Sequence, residues 1–122
     1  MTTLQGSCHC GAVTFEAKFE DDIETSKCNC SICTKSRFWK TIIPADAFTL
    51  KTGEDALQSY RFGHEAIDHR TCDTCGVKVY GTVSMDGAEL VAINVTCLAL
   101  DAAALAALPV SFCGGMHDAH DK

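Results

Sequence analysis

Seven of the nine cysteines fall into three short clusters: Cys8-x-Cys10, Cys28-x-Cys30-x-x-Cys33 and Cys72-x-x-Cys75-Gly76. Thiolates are soft ligands, and four of them close a tetrahedral zinc site. Three leave one position for water or substrate. The count of four plus three therefore predicts two zinc sites, one that holds the fold and one able to do chemistry.

The closed site is read from two spacings. In Cys72-x-x-Cys75-Gly76 both sulfurs can turn toward one metal at about 2.3 Å, and the glycine permits the positive φ of the return turn. In Cys8-x-Cys10 the single intervening residue puts two extended-chain side chains on one face. A redox Cys-x-x-Cys is the competing reading of the later pair, but the βαβ context of thioredoxin-like proteins is missing.

Cys28, Cys30 and Cys33 come from one loop. A fourth ligand from Cys97, Cys113 or a histidine would close that site. If it is open, a dication with three thiolates carries net charge −1. Such a centre activates water weakly and suits an incoming thiol. Three basic residues, Lys35, Arg37 and Lys40, follow Cys33 and could receive carboxylates. A solvated charged turn is the plainer alternative.

The rest of the composition bounds what these sites serve. A chain of 122 residues, 47% apolar, fits one domain with a real core, expected over about residues 4–112 with a polar tail at 113–122. The net charge of −6 argues against nucleic acid as partner. Residues 1–20 hold no apolar run of the secretory type, and the stretch from Leu98 to Val110 is too short to span a bilayer. A cytoplasmic location with reduced thiols is the expectation, and it favours metal over disulfides. No phosphate-binding glycine loop or dinucleotide fingerprint occurs.

The elements that must position the clusters read as mainly β. Alternating Val13, Phe15, Ala17 and Phe19 predict a strand, as do Trp39–Ile43 before Pro44, and Phe48 with Leu50 before a turn at Lys51-Thr52-Gly53-Glu54. Leu57–Phe62 and Ala66–Arg70 flank Gly63-His64. Asp86-Gly87 predicts a hairpin between Val79–Val83 and Leu90–Val95, with Val91, Ile93, Val95 and Cys97 on one face. A brief helical turn is expected after Cys33. Asp101 is placed to cap one short C-terminal helix ending before Pro109. The fold class predicted is a small single domain of antiparallel β-sheets pinned by zinc. Cys97 reads as core, and His117 and His120 as tail.

Three segments in order resemble a known family: Gly6-Ser7-Cys8-His9-Cys10-Gly11-Ala12-Val13, Cys28-Asn29-Cys30-Ser31-Ile32-Cys33, and His69-Arg70-Thr71-Cys72-Asp73-Thr74-Cys75-Gly76. The chain is similar to the glutathione-dependent formaldehyde-activating enzymes, a carbon–sulfur lyase family that also includes centromere protein V. The resemblance implies a structural zinc on Cys8, Cys10, Cys72 and Cys75 and a catalytic zinc on Cys28, Cys30 and Cys33. It implies reversible joining of glutathione and formaldehyde as S-hydroxymethylglutathione, with glutathione as cosubstrate. His64 and His69 are the candidate proton donors, and Lys35 and Arg37 the candidate contacts for glutathione's carboxylates. A non-catalytic zinc-stabilised binding module and a thiol redox enzyme are the competing functions.

Overall fold

The computed structural model describes residues 2–61, 67–85 and 87–113, except the side chains of Met85 and Cys113. In chain order the elements are β1 (Thr2–Ser7), β2 (Thr14–Phe19), β3 (Thr25–Cys28), α1 (Ser31–Ser36), β4 (Trp39–Pro44), β5 (Phe48–Thr52) and β6 (Leu57–Tyr60). They continue with β7 (Ile67–Cys72), β8 (Lys78–Met85), β9 (Ala88–Asn94), α2 (Ala102–Ala106) and β10 (Val110–Cys113). The mainly β class expected from the alternation is the one observed.

Two sheets result. A three-stranded sheet runs β1-β2-β5, and a seven-stranded sheet runs β10-β3-β4-β9-β8-β7-β6. All pairings are antiparallel except β10 with β3, which is parallel. The alternating residues of β2 explain the packing. Phe15 and Ala17 are fully buried and Phe19 nearly so, in one core cluster with Ile43, Val79, Val91 and Ile93 of the larger sheet and Val95 just beyond it. Three rings bridge the layers: Phe15 lies 5.3 Å from Phe48, and Phe48 lies 4.7 Å from Tyr80. Backbone also crosses, since Ala99 N–H donates to Gln5 O at 2.8 Å.

Several boundaries differ from expectation for local reasons. β9 stops at Asn94 because that side chain accepts from Thr96 N–H and redirects the chain into a turn over Val95–Cys97. Cys97 is thus not on the strand, yet it is buried as expected. The helical turn starts before Cys33 rather than after it, with Cys30 at its N-cap. Asp101 caps α2 as predicted, its carboxylate accepting from Ala104 N–H at 2.8 Å. β8 and β9 form the expected hairpin, with Gly87 at φ 79°. Asp86, Gly63, His64, His117 and His120 lie outside the described residues. Among the described residues no helix is long and apolar enough to cross a membrane.

Candidate metal centres

The four-cysteine set is built from two matching knuckles. In the first, Cys8 N–H donates to Val13 O at 3.0 Å; in the second, Cys72 N–H donates to Val77 O at 2.9 Å. Each closes a tight loop that needs one residue with positive φ, and glycine takes it: Gly11 at 84° and Gly76 at 78°. The first knuckle joins β1 to β2, and the second joins β7 to β8. A register shift at Arg70/Thr71 precedes the second and brings Thr71 opposite Lys78.

All four sulfurs lie within 4.8 Å of one another. Cys8 and Cys10 Sγ are 3.6 Å apart, and Cys10 and Cys72 Sγ 3.7 Å. A tetrahedron with metal–sulfur bonds of about 2.3 Å has edges of about 3.8 Å. The set therefore fits a zinc-sized ion without rearrangement. Its electrostatics fit as well. Backbone N–H groups of Cys10 and Val77 pull the Cys75 thiol down to about 6. Ala12 N–H favours the Cys10 thiolate too, but burial and three neighbouring sulfurs push Cys10 up to about 11. One thiolate is welcome, four together repel, and a dication relieves that repulsion.

The three-cysteine set sits at the other end of the chain's organisation. β3 ends in Cys28, Cys30 caps α1, and Cys33 lies within its first turn. The helix holds them by Thr34 N–H donating to Cys30 O at 2.9 Å and Phe38 N–H to Cys33 O at 3.2 Å. The three sulfurs also lie within 4.8 Å of one another, so they too could hold a metal ion. No fourth described His, Cys, Asp or Glu joins them. Burial pushes the Cys30 thiol up to about 12 and raises Cys33, against the pull of Cys30's thiol, Lys78 and Lys40 on the latter.

A cleft of about 450 Å³ opens at this set, lined by Lys27, Cys28, Asn29, Cys33, Thr34, Arg37, Phe38 and Phe112. Arg37, one of the basic residues expected there, lines it; Lys35 stands exposed on α1 and does not. Arg37 is held at φ 55°, ψ 42°, the left-handed C-cap position that glycine usually fills. Lys27 replaces Lys35 as the second basic wall residue, and Phe112 forms a rim that is 81% exposed. A larger groove of about 1030 Å³ elsewhere is lined by Glu20, Asp21, Asp22 and Glu24 and contains no cysteine or histidine.

His69 is buried on β7, and its Nδ1 lies 2.8 Å from Lys78 Nζ. Lys78 is the residue that sequence reading passed over. Its signal was present: Val79 and Tyr80 beside it are both buried, so this strand is covered on both faces. A lysine at the start of such a strand must find a partner inside. Cys97 lies near the four-cysteine set, where Cys8 and Cys75 add to the burial that pushes its thiol to about 12. The backbone of Cys113 is in register with Cys28 across the parallel pair.

Two sheets tied by a four-sulfur set, with a three-sulfur set at the mouth of a basic cleft, define a small β-protein organised around two candidate metal sites. The sequence profile of the glutathione-dependent formaldehyde-activating enzymes matches residues 3–113. The chain belongs to that family. It is also similar to a Rhodobacter sphaeroides protein of known crystal structure, at 26% identity and a TM-score of 0.76, over 88% of this chain and 99% of that one.

Proposed function

We propose that this protein is a carbon–sulfur lyase acting on a small thiol adduct, of the type that joins glutathione and formaldehyde as S-hydroxymethylglutathione. The observation that carries the reading is the three-sulfur set opening on a cleft with two cationic wall residues. Cys8, Cys10, Cys72 and Cys75 would hold a structural Zn²⁺, and Cys28, Cys30 and Cys33 a second one. That second ion, when bound, supplies a position at which a thiol loses its proton readily.

In the forward direction an S–C bond forms and the thiol proton departs. The carbonyl π pair becomes a lone pair on oxygen, which takes up a proton to give the hydroxyl. Lys27 and Arg37 would receive the carboxylates of the thiol substrate, fixing where its sulfur sits. Phe112 and Phe38 would cover its apolar part. His69 reaches this region through Lys78, so a positioning role fits it.

The family's description supports glutathione and formaldehyde as the small molecules concerned. The redox alternative fits poorly. Cys30 caps a helix as a redox cysteine would, but burial lifts its thiol to about 12, away from nucleophilic thiolate. A closed, non-catalytic second site has one observation in its favour, the register of Cys113 opposite Cys28.

One experiment addresses both readings. Zinc-loaded protein is mixed with glutathione and formaldehyde, and exchange between free and hydroxymethylated thiol is followed by NMR. The expected result is exchange well above the buffer rate, retained in Cys113→Ser. No acceleration across a panel of thiols would sink the lyase reading. Acceleration that appears only in Cys113→Ser would show a site closed in the wild type.

A further inference from the structure

The chemistry above leaves one half-buried cation unused. Lys78 Nζ lies 3.9 Å from the centroid of the Phe38 ring and 2.8 Å from His69 Nδ1, and both partners are buried. An ammonium has donors only, so it donates to Nδ1 and the imidazole proton resides on Nε2. Phe38 in turn donates its N–H to Cys33 O at 3.2 Å, and it lines the cleft beside Cys28 and Cys33. One aromatic residue therefore touches both the cation and the three-sulfur site.

The charges are coupled as the geometry requires. Lys78 and Cys33 lie close enough to interact through their charges. Burial lowers Lys78 to about 8, while Cys33 and Cys30 act in the opposite sense. At pH 7 Lys78 is a cation. A dication on three thiolates carries −1, and a fourth thiolate takes the site to −2. A fixed cation close by offsets that repulsion, in a medium where screening is weak. A neutral fourth ligand changes no charge and gains nothing.

We propose that Lys78, clamped by His69 and Phe38, is a positioning cation that makes the Cys28–Cys30–Cys33 site prefer an anionic thiolate over a neutral ligand. The proposal rests on the open-site reading and extends it to a residue outside the cleft wall.

The test uses protein loaded with Co²⁺ at both sites and reads the cobalt absorption bands at pH 7. It is titrated with 2-mercaptoethanol, whose thiol proton passes to the buffer, and separately with imidazole. 2-Mercaptoethanol has no carboxylate, so Lys27 and Arg37 do not enter. Lys78→Met is expected to weaken mercaptoethanol uptake about tenfold, which is about 1.4 kcal/mol. Imidazole uptake should stay within about twofold, and Lys78→Arg should restore most of the thiol preference. Lys78→Gln takes the place of the methionine variant if the latter fails to hold two cobalt equivalents. An unchanged thiol-to-imidazole preference, or an equal loss for both ligands, overturns the role of Lys78 alone. Absence of thiol uptake in the wild type overturns the open-site reading and this proposal with it.

Discussion

At the scale of single residues, burial and backbone angle separate cysteines and cations that look alike in sequence. Cys97 is 8% exposed, and burial beside Cys8 and Cys75 lifts its thiol from 9.0 to about 12. Its folded pKa is raised above the unfolded one. The stability from keeping it neutral is therefore fully present below pH 9 and is lost as pH climbs toward 12. Cys97→Ala should flatten that alkaline decline, by up to about 1.4 kcal/mol per pH unit inside the window. Urea midpoints at pH 8 and 10.5 for both proteins check this, and equal slopes would refute it. Arg37 makes the complementary case. It is the only non-glycine with positive φ among the described residues. A left-handed conformation costs an L-residue about 1 kcal/mol, and glycine avoids that cost. Arg37→Gly should leave Tm unchanged or raise it by a few degrees. It should also raise KM for a carboxylate-bearing thiol roughly tenfold while sparing 2-mercaptoethanol. A variant that loses stability and all thiols equally would show the arginine to be structural. Arg37 was legible as a candidate from its nearness to Cys33; its strained backbone was not, since αL geometry at a helix end leaves no mark when the residue is not glycine.

At the scale of elements, what the sequence concealed is where polar strands carry the site. β3, Thr-Ser-Lys-Cys, has no apolar alternation, and in β10 Val110 and Phe112 alternate over only four residues and stay exposed. Neither can be found from periodicity, because pairing rather than burial defines them. They are nonetheless the strands that set Cys28, Lys27 and Phe112 around the cleft. The anchor is Thr25. Its hydroxyl donates to Pro109 O at 2.6 Å and accepts from Trp39 Nε1 at 2.7 Å, tying β10, β3 and β4 at one point. Thr25 is buried, so Thr25→Val leaves the Trp39 indole N–H without that partner and Pro109 O with the Thr25 backbone N–H at 3.1 Å in place of two donors. The expected cost is about 1–3 kcal/mol. Hydrogen exchange should quicken first at the amides of β10, because its short pairing with β3 is its main hold on the sheet. Unchanged protection across residues 110–113 would show that the Thr25 relay is not what fastens this edge. By contrast the cysteine spacings revealed directly which sulfurs lie together, because a knuckle is a local structure whose turn is written in four to six residues.

At the scale of the whole molecule, the two sulfur sets do different mechanical work. The four-sulfur set joins the β1–β2 hairpin of the small sheet to the β7–β8 hairpin of the large one, between cysteines 62 positions apart in the case of Cys10 and Cys72. Removing its metal would release two sheets whose remaining link is the apolar layer around Phe15, Phe48 and Tyr80 and a few backbone bonds. It would also leave several thiols crowded together, one of them, Cys75, drawn toward thiolate. The three-sulfur set spans only β3 and the helix that follows it, so a metal bound there would constrain a short local segment. Loss of metal should therefore proceed in two stages. A chelator should first take one zinc equivalent from Cys28, Cys30 and Cys33, with the circular dichroism nearly unchanged. The second equivalent should leave only as the β signal collapses, since structural zinc contributes folding energy directly. Cys30→Ser should begin with one equivalent and a near-native Tm, whereas Cys72→Ser should be largely unfolded as purified. The order follows from closure as well: a set with three protein ligands exposes its ion to a competing ligand, and a set with four does not. Following zinc release with a metallochromic dye while recording ellipticity tests this directly. Simultaneous loss of both equivalents with the fold, or a Cys30→Ser protein as disordered as Cys72→Ser, would mean that the two sets share one structural task and that the second is not an open site.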